Sequence, residues 1–293
     1  MPLSRIEAEK ALVDYVISFP YNNVAVILAF LEHLELQNTS ITDALSTWEL
    51  DSSTLIEHQG GTNCIGATEV LERKYQKLGI ETKRVIFKTN IFSPGFTLED
   101  APYGHSALIT EDAETNLIYL IDPGLGLNML LPANGEIYQI GGKGYELHFS
   151  GDRGVLIIHR LNDTKIEMEL IVAKDKLSLD EDIQKKILRG KTEFRIYSFD
   201  KDSKITAALK INIFSRQVIY HLNGNKKILE FDEVDTLFAS SEFEELTTYL
   251  KYSPSVMQNI IRTLISRSEQ IVSLWTESVQ NEYFLANSKL DTL

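Results

Sequence analysis

The spacing of apolar residues changes once, near Thr82, and this change limits the fold more than any other feature of the chain. Before it, Ile6, Leu12, Val13 and Val16 recur at helical intervals, and Val24 to Leu36 form a second, more apolar helical stretch. Phe19-Pro20-Tyr21-Asn22-Asn23 separates the two, because the residue before a proline is biased away from helix. Ser4 and Glu7 have capping-box spacing, and Thr42 to Leu50 predicts a further short helix. From Thr82 the period is two: Lys83, Val85 and Phe87 alternate with Arg84, Ile86 and Lys88. Short strands are expected at Tyr138 to Ile140, Tyr145 to Phe149, Val155 to Arg160 and Ile166 to Ala173. Gly141-Gly142-Lys143-Gly144 reads as a turn. A charged stretch from 174 to 192 predicts a helix. Strands return at Glu193 to Phe199, Ala207 to Phe214, Arg216 to Leu222 and Lys227 to Phe231, with Asn223-Gly224 as a hairpin turn.

The chain closes on helices. Ser241 and Glu244 form a second capping-box pattern ahead of Phe243, Leu246 and Leu250. Ser253-Pro254 opens the last helix, with Val256, Ile260, Ile261, Leu264 and Ile265 as its apolar face and a tail to about Leu285 that packs on the body. The fold class expected is therefore α+β. It comprises an N-terminal helical domain over 1–81, a central antiparallel β-barrel or sheet over 82–192, and a C-terminal α/β lid with terminal helices over 193–293.

Composition excludes several function classes. At 293 residues more than one structural unit is expected. Apolar residues at 43% and charged residues at 24% are ordinary for a globular chain, and no apolar run is long enough to predict a membrane span. The opening Met1-Pro2-Leu3-Ser4-Arg5-Ile6-Glu7 is too charged for a signal peptide. A single cysteine precludes an internal disulfide and fits a reducing, cytoplasmic setting. The formal charge of −13 argues against nucleic acid or an anionic membrane as main partner.

That cysteine, Cys64, lies in Gln59-Gly60-Gly61-Thr62-Asn63-Cys64-Ile65-Gly66-Ala67. Ala67, Val70, Leu71, Tyr75 and Leu78 continue at helical spacing, and Gly79 is a natural stop. Cys64 is thus expected near a helix N-terminus, where the dipole favours a thiolate. The plainer reading is a small buried hydrophobe. Two later segments favour chemistry. Tyr103 to Thr110 and Asn116 to Gly126 read as strands, with Glu111 to Thr115 between them as a polar turn. If Thr110 pairs with Leu117, His105 stands directly opposite Asp122 on one face. An imidazole held by a carboxylate and presented to a cysteine is what nucleophilic thiol chemistry requires, so Cys64, His105 and Asp122 are the candidate catalytic residues. The pairing depends on register.

At these residues the chain resembles the arylamine N-acetyltransferases. In that family the nucleophile follows a Gly-Gly turn, the histidine opens a strand, and the aspartate closes the next strand before a Gly-aromatic-Gly turn. The matching elements are Gly60-Gly61-Thr62-Asn63-Cys64, Gly104-His105-Ser106-Ala107-Leu108 and Tyr119 to Gly126. Phe214 to Leu222 also resembles a hairpin of the family's third domain. The chain departs from the family pattern at Gln59 and Gly66, where an arginine and a glutamate are usual, and at Thr62 or Asn63 and Leu125, where aromatic residues shape the arylamine pocket. The resemblance implies acyl transfer through an acyl-Cys64 thioester. The donor would be acetyl-coenzyme A or another acyl thioester, including a carrier-bound acyl group, and the acceptor a small-molecule amine. The same core and triad are similar to transglutaminase-like proteins, which keeps an amidase or protease open, and a silent binding relative is a third possibility.

The other candidates are weaker. Among His33, His58, His148, His159 and His221, only His58 is close to Cys64 in sequence, and none has metal-ligand spacing. No metal is expected. A basic patch for a phosphate-bearing donor could draw on Arg84, Lys143, Lys210, Arg216, Lys226 and Lys227, though these read equally as solvated surface charges. Ile91 to Tyr103, with Pro94, Gly95 and Pro102, is expected to be a loop long enough to cover a cleft.

Overall fold

The computed structural model describes residues 5–39, 43–44, 47–48, 55–56, 60–88, 103–160, 165–173 and 193–273. The class is α+β, with helices towards both ends and antiparallel sheets between. The chain divides into two compact units. One is Met1–Tyr21, Asp51–Ile183 and Ser198–Thr206, and the other is Asn22–Leu50, Gln184–Tyr197 and Ala207–Leu293. Expectations for Ser4, most of Thr42 to Leu50, the loop from Ile91, the charged stretch from 174 and the tail beyond 273 fall outside the described residues.

In the first unit, helix α1 (Arg5–Ser18) packs on the helix that begins at the cysteine, Cys64–Lys77. The buried Tyr75 hydroxyl donates to the Ala8 carbonyl at 2.7 Å, fixing one helix on the other. The Cys64 helix stops as expected, with Gly79 at φ 73° and the Ile80 N–H returning to the Tyr75 carbonyl.

The barrel-like sheet of this unit contains eight strands. In chain order the first four are Lys83–Lys88, Tyr103–Glu111, Ile118–Ile121 and Leu131–Pro132. The others are Ile137–Ile140, Lys143–Ser150, Arg153–His159 and Lys165–Val172. Neighbouring strands pair antiparallel, and Lys83–Lys88 sits between Tyr103–Glu111 and Lys165–Val172. Val85, Phe87, Ala107, Leu120, Leu147, Leu156 and Leu170 fill the inside of the curl. The outer face of Lys83–Lys88 is also covered, so Arg84 and Ile86 are buried although they alternate with the core residues. Arg84 Nη2 meets Glu72 of the Cys64 helix at 2.9 Å, which ties that helix to the sheet.

The hairpin carrying the candidate residues differs from the expected register. Thr110 pairs with Tyr119, not with Leu117, and Leu108 pairs with Ile121. Asp112 Oδ1 accepts from the N–H groups of Glu114 and Thr115, and Asn116 takes a left-handed φ of 55°. These local bonds move the turn one residue towards the C-terminus and the register by two. A two-residue shift preserves the face, so His105 and Asp122 remain on the same side as diagonal rather than direct neighbours.

The second unit has helices Val24–Gln37, Val234–Phe238, Ser241–Leu250 and Pro254–Ser266, and it holds most of a five-stranded sheet ordered Tyr21–Asn22, Glu193–Phe199, Ile205–Asn212, Gln217–Leu222 and Asn225–Glu230. Asn223 and Gly224, at φ 51° and 78°, make the tight hairpin turn. Two helix details depart from expectation. The cap of Ser241–Leu250 is Ser240, whose hydroxyl accepts from the Phe243 N–H, and not Ser241. Pro254–Ser266 starts at Ser253-Pro254 as expected, yet it buries Met257 and leaves Val256 42% exposed. Among the described residues, no helix is long and apolar enough to cross a membrane.

Candidate functional site

Asn63 fixes the start of the Cys64 helix. Its backbone is extended, and its side-chain oxygen accepts from the N–H groups of Ile65 and Gly66, both at 3.1 Å. The Ala67 N–H goes to the Asn63 carbonyl at 2.9 Å. Cys64 is therefore the first helical residue, as the sequence predicts, and it is buried at 2% exposure. The Thr68 hydroxyl, one turn on, lies 2.7 Å from the Cys64 carbonyl and 3.0 Å from the Ser106 carbonyl, linking the nucleophile's turn to the strand that carries His105.

His105 points to the inner face of the sheet, where the Phe87 ring packs edge-on at 4.9 Å between centroids. Its Nε2 lies 2.7 Å from Asp122 Oδ2 and 2.9 Å from Oδ1. The carboxylate can only accept, so Nε2 carries a proton and donates. Asp122 is fully buried just past the end of Ile118–Ile121, and its Oδ1 also accepts from the Leu125 N–H at 2.9 Å. That bond, with Gly126 N–H to the Pro123 carbonyl and Leu127 N–H to the Asp122 carbonyl, makes the Asp-Pro-Gly-Leu-Gly segment a tight turn that orients the carboxylate.

With Nε2 occupied, the other ring nitrogen of His105 is the one available to Cys64, with which the ring also hydrogen-bonds. Burial disfavours the charged ring, but Asp122 and Cys64 outweigh it and raise the pKa of His105 from 6.5 to about 10. At neutral pH the ring is an imidazolium beside the cysteine, the setting that favours a thiolate.

Gly124 is wedged into this group. A Cβ there would stand 2.6 Å from His105 Cε1, 3.1 Å from Cys64 Cβ and 3.4 Å from Asp122 Oδ1. All three predicted residues thus border the space where a Gly124 side chain would stand. Sequence reasoning passed over this glycine, and also the role of Asn63 as cap; an asparagine directly before the first helical residue was the available signal. At the next glycine, Gly126 with φ 71°, a Cβ would meet the Phe199 ring at 2.4 Å, so this ring covers the turn beside the group.

The remaining candidates lie elsewhere. His58 falls outside the described residues. His148 and His159 both face Glu146, at 2.7 and 2.8 Å. His221 is held below its usual pKa by burial and by Lys210 and Lys226. Of the basic residues considered for a phosphate patch, Arg84 is paired to Glu72, Lys227 to Glu242, and Arg216 lies over the Phe231 ring.

No protein-family model and no curated protein matches this sequence. Solved structures do match. The Mycobacterium marinum arylamine N-acetyltransferase in complex with CoA is 15% identical, covers 88% of this chain and 92% of that chain, and gives a TM-score of 0.56. The Salmonella typhimurium arylamine N-acetyltransferase is 13% identical, with 86% and 89% covered and a TM-score of 0.56. A Bacillus cereus arylamine N-acetyltransferase, whose structure is described as revealing a Cys-His-Glu catalytic triad, is 15% identical, with 82% and 90% covered and a TM-score of 0.52. At these identities the likeness is one of fold, and the fold of this chain is a divergent form of that of the arylamine N-acetyltransferases.

Proposed function

We propose that the protein is an acyltransferase that moves an acyl group from an acyl thioester, such as acetyl-coenzyme A or a carrier-bound acyl group, to a small-molecule amine through an acyl-Cys64 intermediate. The observation that carries this reading is the His105 ring hydrogen-bonded to both Asp122 and Cys64 at the start of a helix. The Cys64 thiolate attacks the thioester carbonyl, and the carbonyl π pair moves to oxygen. Collapse expels the donor thiolate, which takes its proton from His105. In the acyl-enzyme the cysteine has lost its charge, so one of the influences that raise His105 is gone. The ring is then a neutral base for the incoming amine, and its charge returns when Cys64 leaves as thiolate.

Leu125 and the pair Thr62-Asn63 stand where the arylamine N-acetyltransferases resembled by this chain carry aromatic pocket residues. The acceptor class is therefore left as an amine and not narrowed to an arylamine. The decisive experiment is intact-mass analysis after incubation with acetyl-, malonyl- and longer acyl-coenzyme A, with Cys64→Ala as control. A gain equal to the acyl mass, absent in the variant, is expected. No adduct from any thioester, with Cys64 still alkylated rapidly by iodoacetamide below pH 7, would replace this reading with a transglutaminase-like amidase. An unreactive thiol would leave a binding protein.

A further inference from the structure

The cap on the Cys64 helix leaves one polar group unaccounted for. Asn63 is fully buried, and the two N–H groups it accepts fix which arm of its carboxamide is oxygen. The other arm, Nδ2, has no hydrogen-bond partner. A buried donor with no acceptor is costly to maintain, and such groups are rare in folded proteins. Thr62 Oγ1 and Ser106 Oγ are also buried without partners, but Ser106 alternates to the strand face opposite His105, and no other bond of the Thr62 hydroxyl fixes its direction. Asn63 is the one whose orientation is set by its other bonds, and its own carbonyl carbon is bonded to the Cys64 nitrogen.

Position and chemistry agree on a use for this donor. The cap takes the N–H groups of Ile65, Gly66 and Ala67 and not that of Cys64. Nucleophilic attack by Cys64 on a carbonyl places a full negative charge on the carbonyl oxygen next to the helix start, and a preorganised donor there acts only when that charge develops. We infer that Asn63 is a further catalytic residue, donating through Nδ2 the side-chain hydrogen bond to the oxyanion formed on Cys64 while its Oδ1 caps the helix. This inference rests on the acyl-transfer reading above. In the step concerned, the thiolate pair forms the C–S bond and the C=O π pair becomes the oxyanion lone pair. Collapse restores C=O and releases the donor thiolate, and Asn63 exchanges no proton.

The test separates capping from oxyanion binding. Asn63→Ser and Asn63→Asp both keep a side-chain oxygen for the cap and remove the N–H donor. Two rates are compared for each: acylation of Cys64 by acetyl-coenzyme A or p-nitrophenyl acetate, and alkylation by iodoacetamide, a direct displacement that forms no oxyanion. The expectation is that acylation by Asn63→Ser falls about 10²- to 10³-fold while alkylation and the thermal midpoint stay at the wild-type level. In Asn63→Asp the new charge perturbs the thiolate itself, so the acylation-to-alkylation ratio is read, and it falls likewise. Acylation matching the wild type, or acylation and alkylation falling together, would overturn the oxyanion role while leaving acyl transfer intact. A wild-type protein that is acylated by neither donor would overturn both readings.

Discussion

Gly124 concentrates the geometry of the site in one residue. The space that a side chain here would need is already held by the imidazole, the cysteine and the carboxylate. Gly124→Ala therefore pushes on His105 Cε1, the nearest of the three at 2.6 Å from the added carbon. The substitution removes no core side chain of the barrel, and Leu127 just past the turn keeps its buried place, so folding should survive. A displacement of about 1 Å in a reacting group can cost about 100-fold in rate. The expected outcome is a loss of Cys64 acylation of roughly that size, read by intact mass, with an unchanged far-ultraviolet circular dichroism spectrum. His105 supplies a second prediction at this scale. Its folded-state pKa of about 10 lies above the ordinary 6.5, so its contribution to stability is complete below about pH 6.5 and is lost as pH rises towards 10. The stability advantage of the wild type over His105→Gln, measured from urea midpoints, should shrink across that window. An advantage that stays constant from pH 6.5 to 10 would show that the ring is not held as an imidazolium.

At the scale of elements, the question is what seats the Cys64 helix on the sheet. The arginine and glutamate common around the nucleophile of the family that the chain resembles are replaced by Gln59 and Gly66, and the Arg84–Glu72 pair ties this helix to Lys83–Lys88. The side chains are 5% and 17% exposed, so little solvent is left to compensate either charge alone. Arg84→Met should destabilise the protein by up to about 3–5 kcal/mol in urea unfolding, because it removes the guanidinium that pairs with the Glu72 carboxylate. Arg84→Met with Glu72→Leu should recover much of that loss. Equal instability of the single and double variants would mean that the pair is not what holds the helix. The Cys64 helix, its stop at Gly79 and the strand character of Lys83–Lys88 were legible from sequence because long periodic patterns record which faces are buried. The burial of Arg84 was not legible, since its alternation with Val85 and Phe87 reads as a solvent face until the helix above it is known. Register was legible only in parity: the Asp112 turn and left-handed Asn116 decide it, and an even shift leaves His105 and Asp122 together. Ser240 over Ser241, and Met257 over Val256, turn on a one-residue offset at a helix start that periodicity does not resolve.

For the whole molecule, net charge sets how a polyanionic donor approaches. A chain at −13 repels coenzyme A at distances within the Debye length, which is about 30 Å at 0.01 M salt and about 8 Å at 0.15 M. Arg84 and Lys227, two of the basic residues that could have offset this field, are engaged by Glu72 and Glu242. Donor capture should therefore be limited by long-range repulsion at low ionic strength, and an uncharged truncated thioester such as N-acetylcysteamine acetate should escape it. Raising salt from 0.01 to 0.15 M is expected to increase the second-order rate of Cys64 acylation by acetyl-coenzyme A and to leave the rate with the truncated donor flat. The comparison cancels any effect of salt on the thiolate itself, because both donors report on the same nucleophile. A rate with acetyl-coenzyme A that falls with salt would instead mean that a local cluster of cations governs donor binding despite the acidic whole. Equal salt dependence for the two donors would move the effect from the donor's charge to the Cys64–His105 pair.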